Sequence, residues 1–379
     1  MKRTDLDLAS RALGGSVRYV SDEFFAACEA LLIPAPPVHD TTTFGPHGKI
    51  YDGWETRRRR SPGYDWAVVA LGVPGVLHEI VVDTSFFLGN YPPEVSVEAT
   101  WVEGASDRAT LDRADWVTVV PNSAARGNTA NTYRVYNGQA FTHVRLNIYP
   151  DGGVARLRVH GSAVPDPRVL GDRIDLAAIH HGGDIAECSD MFYSDARHVL
   201  YPGVARTMAE GWETARRRTA GNDYLVVTLA GPSRLSFVTL DTGYFLGNAP
   251  GRVRISARAG DSDPWHEILA ETAISPDARN RFRLSPSDVT GDVTGDVTGD
   301  VTGEATAEVT AVRVDVYPDG GFSRLHLMGQ LSPQALSAAI SQWLLRLPAQ
   351  ASARVLLGAG LSGVPVRELT DKQLLSLAW

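Results

Sequence analysis

Apolar and polar positions alternate in short runs along most of the chain. "DWAVVALG" from Asp65, "LHEIVVDTSFF" from Leu77, "EVSVEATWV" from Glu94, "HVRLNIYP" from His143 and "VARLRVHG" from Val154 are each alternating or β-branched. Gly, Pro, Asn or Asp bound them, so the pattern predicts strands. "YPDGG" from Tyr149 predicts a type I turn, with Pro150 at its second position, joining two antiparallel strands. Two stretches break the alternation. "SDEFFAACEALL" from Ser21 predicts some helix ahead of the strands. "SPQALSAAISQWLLRL" predicts a helix capped by Ser332 with Pro333 at its first position, and the tail beyond reads as two or three helical pieces.

The pattern occurs twice. "DGWETRRRR" at 52–60 returns as "EGWETARRR" at 210–218, an offset of 158. At the same offset "GYDWAVVALG" from Gly63 returns as "GNDYLVVTLAG" from Gly221, and "DTSFFLGN" from Asp83 as "DTGYFLGN" from Asp241. "SDEFF" at 21–25 and "VRLNIYPDGGVARLRVHG" from Val144 return at an offset of 168, as "SDMFY" and "VRVDVYPDGGFSRLHLMG". Order and spacing hold, so a domain has been duplicated. The first copy carries ten extra residues before its GWET, around "HDTTTFGPHGKI". The second carries four tandem Asp-Val-Thr-Gly units at 288–303, which read as a lengthened surface loop. Seven or eight short strands per copy predict a mainly β chain of two tandem jelly-roll β-sandwich domains, 1–165 and 166–330, with a short helical extension over 331–379.

Composition narrows the function classes. Of 379 residues, 44% are hydrophobic and 21% charged, as in an ordinary globular protein. A net charge of −8 offers no field for nucleic acid or an anionic membrane. No apolar run approaches a membrane span, and the N-terminus has no apolar core of a signal peptide, so a cytoplasmic protein is expected. Cys28 and Cys188 lie far apart and read as two free thiols. His39 with Asp40, and His180, His181 and Asp184, are possible metal ligands, but neither group has a paired motif and no metal or other cofactor is expected.

The arginine row raises a chemical question. As a strand, "WETRRRR" would place Glu55, Arg57 and Arg59 on one face and Trp54, Thr56, Arg58 and Arg60 on the other. Guanidinium groups hold carboxylates through two parallel hydrogen bonds, so the row suits either a small carboxylate ligand or an ion-paired edge and subunit contact. Asp83, at the end of an apolar run and near Asn90, is either an acid/base group or part of a turn. Trp54 and Trp212 read as core.

Together "GWETRRRR", "GYDWAVVALG", "DTSFFLGNYPP" and "RLNIYPDGG", with their second-half counterparts, resemble the allantoicase (allantoate amidinohydrolase) family of two tandem jelly-roll repeats, over about residues 15–330. Three features depart from it. Tyr64 stands where the family usually has histidine before Asp-Trp, the tetrapeptide insertion is peculiar to this chain, and the tail lies outside the repeats. The resemblance implies hydrolysis of allantoate to ureidoglycolate and urea. That reaction needs a proton for the leaving nitrogen, water at the same carbon and a grip on the substrate carboxylate. The residue types occur in both halves: Glu55, Asp83, Glu213 and Asp241 for catalysis, and Arg58 or Arg59, Asn90, Arg216 or Arg217 and Asn248 for binding. Enzymes of this kind are commonly oligomers, so a homo-oligomer is expected. The alternative is a non-catalytic jelly-roll module that binds a ligand such as a carbohydrate. Such sites rely on exposed aromatics and neutral polar groups, whereas this repeat offers arginine and carboxylate.

Overall fold

The computed structural model describes residues 5–40, 42–104, 106–170, 172–284 and 308–378. The tetrapeptide insertion at 288–303 lies outside them. Two compact units are present: Lys2–Pro165 together with Leu344–Gly363, and Asp166–Trp343 together with Val364–Trp379.

Each repeat is an eight-stranded antiparallel β-sandwich organised on one long strand. In the first repeat this strand runs from Asp65 to Asp83, and its residues up to Ala70 pair with Ser16–Val20 on one side and His143–Ile148 on the other, with Phe141 and Ala140 continuing onto Gly75 and Val76. Beyond Gly75 its partners change to Arg156–Ala163 and Ala130–Arg134. The sequence pattern divides this stretch into two strands, yet the backbone is continuous. Pro74 has no N–H to donate, and it falls where one set of partners gives way to the next. One strand therefore serves both layers, and its inward residues Ala67, Val69, Leu77, Ile80 and Val82 are fully buried. Glu94–Thr100 and Val117–Ala124 extend the first layer, and Leu6–Asp7 edges the second. The second repeat has the same order around Asp223–Asp241.

Two local expectations change. The segment after Ser21 is not an α-helix; only Cys28–Leu32 coil, as a 3₁₀ turn. Its polar groups are drawn into tertiary bonds instead: the Ser21 hydroxyl donates to Asp65, Asp22 accepts from Arg57, and Ala26 bridges to Glu55. The YPDGG segment makes no type I hairpin. Tyr149–Pro150 and Tyr317–Pro318 are cis, and the flanking strands Ala140–Tyr149 and Arg156–Ala163 lie on opposite sides of the long strand.

The tail forms the helices Pro333–Arg346, Ala349–Gly358 and Asp371–Leu375. Ser332 Oγ accepts from the Ala335 N–H at 3.2 Å, as its sequence position predicts.

Candidate active site

The repeated motifs of the first half converge on one another. Trp54–Glu55 is a two-residue strand paired with Gly153–Val154, which begins at the last residue of YPDGG. Trp54 is fully buried and its indole N–H donates to the Asp22 carbonyl at 2.8 Å, so it is core. Thr56 Oγ1 accepts from the Gly152 N–H (3.1 Å), and the Arg59 N–H donates to the Asp151 carboxylate (2.9 Å). Side chains are excluded at this junction, since a Cβ on Gly153 would sit 2.0 Å from the Phe87 ring.

Glu55 and Asn90 meet in this frame, with Asn90 Nδ2 donating to Glu55 Oε1 at 2.7 Å. The Asn90 carbonyl accepts from the Gly153 N–H at 2.7 Å, so one glycine, which also pairs with Glu55, fixes both residues. Burial raises the Glu55 carboxyl above its ordinary value, and the Asn90 amide only partly opposes this. A carboxyl so placed keeps its proton to higher pH and can deliver it to a leaving group.

The second repeat copies the arrangement. Asn248 Nδ2 donates to Glu213 Oε1 at 2.7 Å, Thr214 accepts from the Gly320 N–H at 3.1 Å, and the Arg217 N–H donates to Asp319 at 2.7 Å. Trp212 is fully buried.

The arginine row is not a two-faced strand, because strand geometry stops at Glu55. The N–H groups of Arg57 and Arg59 turn toward Asp22 and Asp151 rather than toward a neighbouring strand. Arg59 pairs with Asp65 at 2.8 Å and Arg217 with Asp223, and both aspartates are almost wholly buried. Arg57 pairs with Asp22 at 2.8 Å. Arg58, Arg60, Arg216 and Arg218 are exposed and, among the described residues, make no ion pair. Those four remain available to an anionic ligand.

Asp83 and Asp241 sit at the far ends of the long strands. Asp83 Oδ1 accepts from the Ser85 N–H and Asp241 Oδ1 from the Gly243 N–H, each at 2.8 Å. Each opens the turn that leads to the asparagine of its repeat, while Asp241 Oδ2 also accepts from Arg279 at 3.1 Å. Asp241 lines a separate cavity of about 640 Å³ with Arg279, Arg281 and His326. Among the described residues neither carboxylate bonds to the Glu–Asn pair.

Sequence reasoning passed over Ser21, Asp22, Asp65 and Asp151 as site-building residues. The signal was available, because all four lie in repeated motifs and Ser189, Asp190, Asp223 and Asp319 repeat their roles.

Among the described residues one group offers metal donors at suitable spacing: Glu23, Cys28 and Glu29, within 4.8 Å of one another. Burial and the two adjacent glutamates hold the Cys28 thiol far above its ordinary value, which opposes the thiolate a metal requires. His180 is pushed down to about 4 by burial, and His39 packs against the Phe86 ring.

The allantoicase repeat matches this chain twice, at 6–164 and 174–332. A probable allantoicase of Nocardia farcinica is 46% identical over 328 residues, covering 86% of this chain and 94% of the relative. One of Streptomyces avermitilis is 42% identical, with 86% of each chain covered. The crystal structure of allantoicase from Saccharomyces cerevisiae superposes with a TM-score of 0.70 at 30% identity, over 87% of this chain and 94% of that one. Two copies of the allantoicase repeat thus make up most of the sequence, and the chain belongs to the allantoicase family.

Proposed function

We infer that the protein is a hydrolase that converts allantoate and water to ureidoglycolate and urea. The observation that carries this is the half-buried, Asn90-bonded Glu55 carboxyl inside a family that bears the enzyme's name. Glu55 donates its proton to the ureido nitrogen as the C–N bond breaks, releasing urea. Water then adds to the same carbon and gives a proton back to the carboxylate, so the acid is regenerated. Arg58 is exposed and unpaired among the described residues, and it holds the substrate carboxylate as a charge-assisted pair. Asn90 orients the Glu55 carboxyl and offers its second N–H to the planar ureido group. Asp83 acts through the turn it opens, setting where Asn90 lies.

Family membership and an arginine–carboxylate site do not favour the carbohydrate-module alternative. Two free cysteines fit a reducing cytoplasm, and assembly into a homo-oligomer belongs to the same reading. No helix among the described residues is long and apolar enough to cross a membrane.

The test is urea release from allantoate by the purified protein, with and without a chelator. Turnover in both conditions supports carboxyl and arginine chemistry, and loss restored by added metal would require a metal in the mechanism. No turnover in either condition would overturn the reading.

A further inference from the structure

The two Glu–Asn pairs are alike at their centres and unlike around them. The ten extra residues of the first repeat include a small hairpin, Phe44–Gly45 against Gly48–Lys49. His47, in its turn, stacks on Phe24 with ring centroids 3.8 Å apart and an interplanar angle of 28°. His39, just before the hairpin, lies 5.0 Å from the Phe86 ring. Phe24 adjoins Phe25, whose N–H donates to the Glu55 carbonyl at 3.2 Å, and Phe86 belongs to the turn that ends at Asn90. The insertion therefore touches the segments on both sides of the pair. Its base is anchored by Asp52, which accepts from the Val38 N–H and from Arg156, each at 2.8 Å.

Among the described residues the second repeat has no such hairpin. Phe192, the counterpart of Phe24, is 67% exposed against 39%, and Tyr244, the counterpart of Phe86, is 53% exposed. Met208 lies instead against the asparagine, its Sδ 3.2 Å from Asn248 Nδ2. An amide nitrogen has two N–H donors, and here Glu213 and the Met208 sulfur take both. Asn90 Nδ2 has Glu55 alone among the described residues, which leaves one donor for a substrate.

Resting on the allantoate reading above, we propose that hydrolysis is carried by the Glu55–Asn90 pair alone, beneath a cover in which His39 and His47 are positioning residues, and that Met208 occupies the free donor of Asn248 in the second pair. The cover excludes water from the acid while the substrate is held. The raised affinity of Glu55 for its proton, caused by burial, agrees with a closed site.

Three variants test this through kcat and KM for allantoate, with melting curves confirming the fold. E55Q is expected to keep less than about 1% of kcat, the usual scale for losing a general acid. Met208→Arg, which adds bulk and charge beside Asn248, is expected to leave both constants within about twofold. The double variant H39A/H47A is expected to raise KM about tenfold, roughly 1.4 kcal/mol of binding, with its melting temperature unchanged. If E55Q fails to fold, Asn90→Ala replaces it with the same expected loss. Wild-type urea release tests the underlying reading separately. With that activity present, retention of about half of kcat in E55Q would mean two equal sites and overturn the proposal. Loss of turnover in Met208→Arg, or an unchanged KM in H39A/H47A, would overturn it too.

Discussion

At the scale of single residues, neighbouring arginines of one row do different work. Arg59 neutralises Asp65, whose carboxylate is almost fully buried, while Arg58 next to it stays exposed. Arg59→Ala should therefore destabilise the fold by about 2–3 kcal/mol, because it strands a buried charge. Arg58→Ala should melt like the wild type yet raise KM for allantoate about tenfold or more. Thermal melts and steady-state kinetics on the two variants separate these outcomes, and a fall in melting temperature for Arg58→Ala would show it to be structural. Glu55 gives a prediction in pH. Its carboxyl is raised above the ordinary 4.5, so the folded state binds the proton more tightly than the unfolded chain. Stability from this group is complete below pH 4.5 and is lost as pH rises through the folded value. E55Q should then melt higher than the wild type on the alkaline side, and melting temperatures across that range check it. The Glu55–Asn90 contact was not legible from spacing, since 35 positions separate the two. What could be read was that both recur at a fixed offset, which marks a shared environment without giving its geometry.

At the scale of elements, the strands were plain from alternation because each layer has one buried face. Other features were hidden for physical reasons. Pro74 reads as a break, but the strand continues because its partners change there. The apolar run after Ser21 has helical composition, yet Ser21 and Asp22 find stronger partners in Asp65 and Arg57 than a helix would supply. Arg156 has the clearest consequence at this level. It is 2% exposed and donates to the Ala35 and Asp52 carbonyls and to the Asp52 carboxylate, joining the loop before Trp54 to the second layer of the sandwich. Arg156→Ala should cost about 3–5 kcal/mol. The loss can be measured by urea denaturation, where a cost below about 1 kcal/mol would show the guanidinium dispensable. In the second repeat Arg324 meets the same need by donating to the carbonyls of Gly203 and Glu210.

At the scale of the molecule, the tail is part of the fold. Ile340 and Trp343 are buried, and the Trp343 ring lies 4.8 Å from the Arg168 guanidinium. Trp343→Ala should cost about 3–5 kcal/mol while kcat at low temperature stays near that of the wild type. A matched melt and urea-release assay checks both halves of that prediction. The helices of the tail could be read from Ser332, Pro333 and the apolar spacing, but their destinations could not, because nothing in an amphipathic pattern names the surface it will meet.

Those destinations bear on inheritance. Leu344–Gly363 belongs to the compact unit of the first repeat, although the whole second repeat separates it from that repeat along the chain. A gene broken between the two repeats would yield an amino-terminal product lacking Pro348, Ala351 and Arg354, which wall its 740 Å³ cavity beside Trp101 and Phe141. Recombination could not exchange the first repeat between relatives as one uninterrupted cassette. Two distant pieces of coding sequence would have to travel together, which ties the two halves into a single heritable block.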